Sequence, residues 1–176
     1  MIQLQKAPPS SFDAIYSLLE RSFPPDERRS YEGQKALLLE PNYAIYTTKT
    51  DGDNCEALLT VWQFPTFAYV EHFAVDPACR GQGLGSQMLN ALKTMLPCPI
   101  CLEVELPETD FARRRIGFYQ RNGFFLNEYP YLQPAYGPGK APVPLLLMTS
   151  GGPISPEQFD TMKTALYETV YRQKPR

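Results

Sequence analysis

The order of segments in this chain predicts an α/β or α+β fold. Helical apolar stripes alternate with short runs rich in Val, Ile, Leu, Tyr and Phe, and Pro, Gly, Asn and Asp punctuate the joins. A length of 176 residues with 43% hydrophobic and 20% charged content is enough for one buried core. With no internal repeat and no linker-like stretch, the whole of 1–176 reads as a single domain.

The first helix spans 10–23, where Ile15, Leu18, Leu19 and Phe23 recur at helical spacing and Pro24-Pro25 stops it. A second, shorter helix fits 30–40 and is closed by Pro41. Strands follow at 43–50 and 57–64, joined into a β-hairpin by the turn Asp51-Gly52-Asp53-Asn54. The strand 67–75 ends at Asp76-Pro77 and feeds a glycine-rich loop. From there Leu84, Met88, Leu92, Met95 and Leu96 lay a stripe along one helix face until Pro97. Strand 100–106 and helix 110–122 come next, the helix with Thr109 or Asp110 as N-cap and Gly123 just past its end. Strands 124–129 and 143–149 bracket 130–142, a Pro-, Gly- and Tyr-rich stretch that reads as a long ordered loop. The last helix, 156–172, opens with Ser155-Pro156-Glu157-Gln158, a capping box with proline at its first position. Its core face is Phe159, Met162, Leu166 and Val170.

Composition removes several function classes. A net charge of −2 leaves no basic surplus to displace counterions, so nucleic acid is not expected as a partner. No apolar run approaches the roughly 18 residues of a membrane span, and no membrane partner is expected. The opening MIQLQKAPPSSF lacks a hydrophobic signal core, which favours the cytoplasm. Cys98 and Cys101 have CxxC spacing, yet no second pair exists and His72 is the sole histidine, so no metal is expected. Cys101 also opens a strand, whereas a redox pair sits at a helix N-terminus. The lone histidine excludes most triad and metallohydrolase schemes as well.

The densest signal is the run from Val75 to Ser86, where Arg80 precedes three alternating glycines, Gly81, Gly83 and Gly85, and a helix follows at once. Glycine turns the backbone tightly and lets a ligand reach main-chain N–H groups. The helix aims its unpaired amides and positive dipole end back at the same loop. Together these make a cradle for a phosphate or diphosphate.

With Arg80-Gly-Gln-Gly83-Leu-Gly85 after a strand and Phe118-Tyr119-Gln-Arg-Asn-Gly123-Phe124 nearer the end, the chain resembles the GNAT family of acetyl-CoA-dependent N-acetyltransferases. The signature (Gln/Arg)-x-x-Gly-x-(Gly/Ala) matches at Arg80, Gly83 and Gly85, and Tyr-x-x-x-Gly-Phe at Tyr119, Gly123 and Phe124. The resemblance covers roughly 10–150. It implies the GNAT fold: a central mixed, mostly antiparallel twisted sheet flanked by helices, with acetyl-CoA in the cleft between two splayed central strands. It also implies that backbone groups of Phe73, Ala74 and Val75 pair with the pantetheine arm. Arg80, Gly81, Gln82, Gly83, Leu84, Gly85 and Ser86 would hold the diphosphate, mainly through backbone amides. An acceptor amine then attacks the thioester directly in a ternary complex. An amide near Phe73 or Ala74 polarises the carbonyl oxygen, and Tyr119 protonates the departing sulfur. Many family members carry an asparagine seven residues before that tyrosine. Ala112 stands there, which leaves the pantetheine to backbone contacts.

Other residues carry two readings each. Glu71 is the best candidate for the base that takes the amine's proton, a water relay being the other route; it can equally be a structural carboxylate paired to an arginine. In regular alternation Glu71 shares a face with Tyr69, Phe73 and Val75, and His72 points the other way unless a bulge intervenes. Arg113, Arg114 and Arg115 crowd the first turn of their helix, against its dipole. Arg115 lies four residues before Tyr119 and so shares its face, placing it to meet a CoA phosphate. The alternative pairs these arginines with Glu105, Glu108 or Asp110. Glu103 and Glu105 share one strand face, which would favour a cationic amine if it borders the acceptor. Tyr131, among the tyrosines of 129–136, can cover an acceptor, the core or a dimer contact.

The acceptor is then a small-molecule amine or a peptide N-terminus, and a homodimer is open. One rival is an NAD(P)-binding oxidoreductase, with Gly81-x-Gly83 starting a helix and Glu103 about twenty residues on. Ser86 replaces its third glycine, however, and five residues separate strand from loop. A P-loop fails because no Gly-Lys-Ser/Thr follows. The second rival is a non-catalytic acyl-CoA sensor or interaction module.

Overall fold

In a computed structural model, residues 2–48, 50–51 and 54–174 are described. The chain divides into two compact units, Met1–Cys98 and Pro99–Arg176. The first holds β1 (Gln5–Lys6), α1 (Phe12–Ser22), α2 (Tyr31–Ala36), β2 (Tyr43–Thr47), β3 (Thr50–Asp51), β4 (Asn54–Cys55), β5 (Ala57–Gln63), β6 (Ala68–Val75) and α3 (Leu84–Met95). β1, β2, β5 and β6 pair antiparallel in that order. β3 and β4 extend the β2–β5 hairpin as a separate short ladder; Gly52 and Asp53 of the expected turn lie outside the described residues.

Strand β5 is a near-continuous apolar run, and its first six residues are buried, as a strand covered on both faces requires. α1 buries Phe12, Ile15, Leu18 and Leu19 and packs against β4 and β6. Ser30 caps α2 by accepting the Gly33 N–H at 3.1 Å. The expected helix to residue 40 tightens after Ala36 into a 3₁₀ turn, Leu37–Leu39. Met88, Leu89 and Leu92 form the inner face of α3. Met95, expected in that stripe, is 39% exposed. It is the last helical residue, and the extended backbone at Leu96 (φ −111°, ψ 103°) turns that leucine inward instead.

The second unit holds β7 (Ile100–Glu105), α4 (Asp110–Arg121), β8 (Phe124–Gln133), β9 (Val143–Ser150) and α5 (Pro156–Ala165), which runs on into a wide turn, Leu166–Val170. β9 lies between β7 and β8, antiparallel to both. α4 packs on β7 and β8, and α5 on β8. Thr109 is the N-cap of α4, its Oγ1 accepting the Ala112 N–H at 3.0 Å. Both halves of the capping box at Ser155 and Gln158 form, and Phe159, Met162, Leu166 and Val170 are buried as expected.

The expected loop 130–142 is shorter than its composition implies. β8 continues to Gln133 because its register against β9 shifts between Asn127 and Tyr131, and the shift accommodates Pro130 without a ladder hydrogen bond. The buried Asn127 amide fixes the shift from the other side, donating to Leu147 O and Thr149 Oγ1 and accepting the Ile154 N–H.

Gly123 ends α4 in the left-handed region at φ 82°. Gly123→Ala forces an L side chain into that region and is expected to cost roughly 1–2 kcal/mol of stability, measured by urea denaturation; an unchanged midpoint would contradict it.

Candidate active site

At the end of β6, Asp76 accepts the Ala78 N–H at 2.9 Å and starts a 3₁₀ turn, Pro77–Cys79. That hydrogen bond, with Arg21 at 3.3 Å, holds its carboxyl below the ordinary range. Arg80 folds back so that Nε donates to Val75 O at 3.1 Å. Gly81 and Gly83 follow with φ 80° and 75°, and a Cβ on Gly81 would meet nothing within 4 Å. The glycines therefore serve backbone direction, not close packing. Gly83 is the N-cap of α3. No side chain caps this end, and no carboxylate sits in its first turn. Arg80, Gly81, Gln82 and Gly83 are exposed, and Leu84, Gly85 and Ser86 are half-buried. The result is an open cluster of main-chain donors with a positive field, chemically suited to an anion.

Upstream on the same strand, Phe73, Ala74 and Val75 pair with Leu59, Leu58 and Ala57. The ladder then steps from Thr60↔His72 to Val61↔Val70, which leaves Glu71 as the extra residue of a β-bulge. The Glu71 side chain has no exposed surface. Its Oε1 accepts Arg29 Nη1 at 2.5 Å and its Oε2 accepts Trp62 Nε1 at 2.8 Å. Burial raises its pKa, but Arg29's charge, His72 and the two hydrogen bonds outweigh this and hold the carboxyl below the ordinary range. Glu71 thus takes the arginine-paired alternative, and a carboxylate so placed is a poor free base.

His72 is buried beside it, its pKa lowered by burial against the opposing pull of Glu71 and the Glu27 carbonyl. Nε2 lies 2.9 Å from Glu27 O, an acceptor only, so the proton is on Nε2. Nδ1 then accepts from Thr60 Oγ1, which itself accepts the His72 backbone N–H.

In the second unit, Tyr119 is 8% exposed and borders the rings of Phe118 and Phe124. Burial pushes its phenol up to about 12, against a downward pull from Arg115. Arg115 covers the Phe111 ring and pairs with Glu105 at 3.5 Å, while Arg113 pairs with Asp110 at 2.5 Å. Two of the three arginines thus adopt the surface pairing that the sequence left as their alternative. Glu103 accepts hydrogen bonds from Tyr131 and Tyr171. Tyr131 is buried against Phe159 and Tyr167 and does not form an exposed wall.

Sequence reasoning missed Arg29, Trp62 and Tyr171. Trp62 had a signal, since the short link between the strands 57–64 and 67–75 sets them side by side and brings it near Glu71. Arg29 and Tyr171 lie in irregular segments where no periodicity points to a partner. All four cysteines are free, and burial raises the Cys101 thiol. Among the described residues, no group of three or more His, Cys, Asp or Glu is placed to hold a metal, and no helix is long and apolar enough to cross a membrane.

The profile described as Acetyltransferase (GNAT) family matches residues 12–124, and the chain belongs to this family of N-acetyltransferases. A solved structure from Bacteroides thetaiotaomicron, assigned as a GNAT-family acetyltransferase, is 37% identical with a TM-score of 0.89, covering 98% of this chain and 100% of that one. YjbC of Bacillus subtilis (strain 168), also assigned as an acetyltransferase, is 34% identical over 111 residues, 62% of this chain. The match spans about half of YjbC, 55% of its length. An aminoglycoside 6′-N-acetyltransferase solved with coenzyme A has the same fold, with a TM-score of 0.60, 16% identity, and 85% of this chain and 96% of that one covered. These findings confirm the expected GNAT fold and answer the dinucleotide-binding alternative.

Because the folded value of Glu71 lies below its ordinary one, its contribution to stability is complete above about pH 4.3 and is lost as pH falls through the folded value. Melts from pH 7 to pH 3 are expected to show the Tm of the unaltered chain falling further than that of Arg29→Met/Glu71→Gln. Parallel curves would contradict the shift.

Proposed function

We propose that the protein moves the acetyl group of acetyl-CoA to a primary amine, by direct attack in a ternary complex. The observation that carries this reading is the uncapped, carboxylate-free N-terminus of α3 behind two left-handed glycines. Family membership supports it, as does the coenzyme A named with the aminoglycoside relative.

In this reading the amides from Gly81 to Ser86 take the diphosphate, and Arg80 adds charge. Backbone groups of Phe73 to Val75 hold the pantetheine. An amide near Phe73 or Ala74 donates to the thioester oxygen, where negative charge grows as the nitrogen attacks. The tetrahedral carbon then re-forms its carbonyl, the C–S bond breaks, and sulfur leaves with the electron pair. Tyr119 donates toward that sulfur. Burial holds its phenol well above an ordinary thiol, so complete proton transfer to the sulfur is uphill. A hydrogen bond to the forming thiolate carries no such cost. The proton released by the amine goes to water, since Glu71 is engaged elsewhere.

Arg115 can still serve a CoA phosphate: giving up a half-exposed pair with Glu105 costs at most about 1 kcal/mol. Glu103, oriented by Tyr131 and Tyr171, favours a cationic acceptor, either a small-molecule amine or a peptide N-terminus.

The test is CoA-thiol release from acetyl-CoA across a panel of amines; no release with any amine would leave only a CoA-binding module. Tyr119→Phe is expected to lower kcat at least tenfold with the KM for acetyl-CoA little changed, and unchanged turnover would remove its role. Gly83→Asp and Gly83→Asn share shape and tolerance of positive φ. Calorimetric titration with CoA should show the Asp variant about tenfold weaker than Asn, because charge alone separates them; equal affinities would place the diphosphate elsewhere.

A further inference from the structure

We infer that Arg29 is a positioning residue for acetyl transfer: through Glu71 it fixes the β6 bulge from which the backbone of Phe73 and Ala74 meets the acyl carbonyl. The inference rests on the acetyl-transfer reading above and adds to it a residue remote from the reacting atoms.

A bulge leaves one residue outside the ladder, so something other than the ladder must hold it. Here the extra residue is Glu71, and its side chain turns wholly inward. Trp62, on the neighbouring strand, anchors Oε2. Oε1 accepts from Arg29, whose side chain is 11% exposed. A buried carboxylate that loses its cation must take up a proton or move to water. Either response releases the bulge two residues before Phe73.

Arg29 is itself held in place. Its carbonyl accepts from Tyr16 Oη of α1 at 2.9 Å, and the next residue, Ser30, caps α2. The neighbouring bulge residue repeats the connection, since His72 Nε2 donates to Glu27 O and its ring packs edge-on against Phe23. Residues 23–30, between α1 and α2, are thus fastened to both bulge residues, whose side chains also meet Trp62 and Thr60, two positions apart on one face of β5. The bulge carries its geometry in from this connector, and the two residues beyond it inherit the strand direction that the bulge sets.

The experiment uses the full chain with Arg29→Met, Arg29→Lys and Glu71→Gln, measuring CoA affinity by calorimetry and then kcat, KM and pH profile. Arg29→Met is expected to lower kcat about 30-fold, a much larger change than in CoA affinity or the KM for acetyl-CoA, because the loop 81–86 is untouched. Arg29→Lys should recover part of the loss, because it keeps the charge without the planar fork. Glu71→Gln should lower kcat with its pH limbs in place. A folded Arg29→Met with wild-type kcat overturns the inference, as does loss of the ascending limb in Glu71→Gln, which would make Glu71 the base. If Arg29→Met does not fold, Arg29→Lys and Glu71→Gln decide by the same readouts. An unaltered chain that neither binds CoA nor releases it from acetyl-CoA would sink the acetyl-transfer reading, and this inference with it.

Discussion

A carboxylate without exposed surface must be neutralised where it lies, and the first unit is organised around that requirement at Glu71. Meeting it draws the connector between α1 and α2 onto β6, because Arg29 sits there and nowhere in regular structure. Trp62 is committed at the same time, and its own complete burial in β5 makes the anchor rigid. Replacing such a pair with apolar residues is often neutral or stabilising, so stability alone is a weak reason for it. What a buried pair does supply is a single geometry, and here that geometry belongs to a bulge. The His72 network adds to this, since the Glu27 carbonyl can only accept and thereby determines the tautomer.

In the proposed reading the glycine loop solves a different problem. Anion binding by main-chain amides needs donors that point one way and lack competing acceptors. Two left-handed glycines turn the chain, and the absence of a capping side chain leaves the α3 amides without a local acceptor. Three helix starts among the described residues do the opposite, Ser30, Thr109 and Ser155 satisfying their own amides from within, and α1, which also lacks a capping side chain, carries Asp13 in its first turn. The contrast separates a helix start built for stability from one whose donors, in the proposed reading, are left for a ligand.

Much of this was legible in the chain. Helix boundaries set by local chemistry, such as Thr109, Gly123 and the Ser155–Gln158 box, could be read directly, because their partners lie within four residues. The core face of the last helix followed from spacing alone. The extension of β8 to Gln133 was hidden by Pro130, which argues against a strand unless the register shifts, and a shift depends on Asn127 reaching across to β9. Glu71 was found as a candidate, but its state was not. That state depends on Arg29, 42 residues away in sequence, and no pattern in either segment announces the pairing. Motifs reveal backbone geometry, whereas side-chain protonation belongs to contacts made only on folding.

The two titratable groups singled out from the sequence are displaced in opposite senses, and the causes differ. Burial acts on both and disfavours charge on each. At Tyr119 burial prevails, keeping the phenol neutral, because Arg115 pulls only weakly against it. At Glu71 a cation in contact at 2.5 Å reverses the outcome and the group stays ionised. One group is therefore held as a donor and the other as a fixed anion, across the whole neutral range. Neither can take up a proton near pH 7: a neutral phenol has none of the basicity of its phenolate, and the carboxylate is stabilised in its charged form. A reaction that must remove a proton from an ammonium has to look beyond both, and solvent water satisfies that demand without a further buried charge.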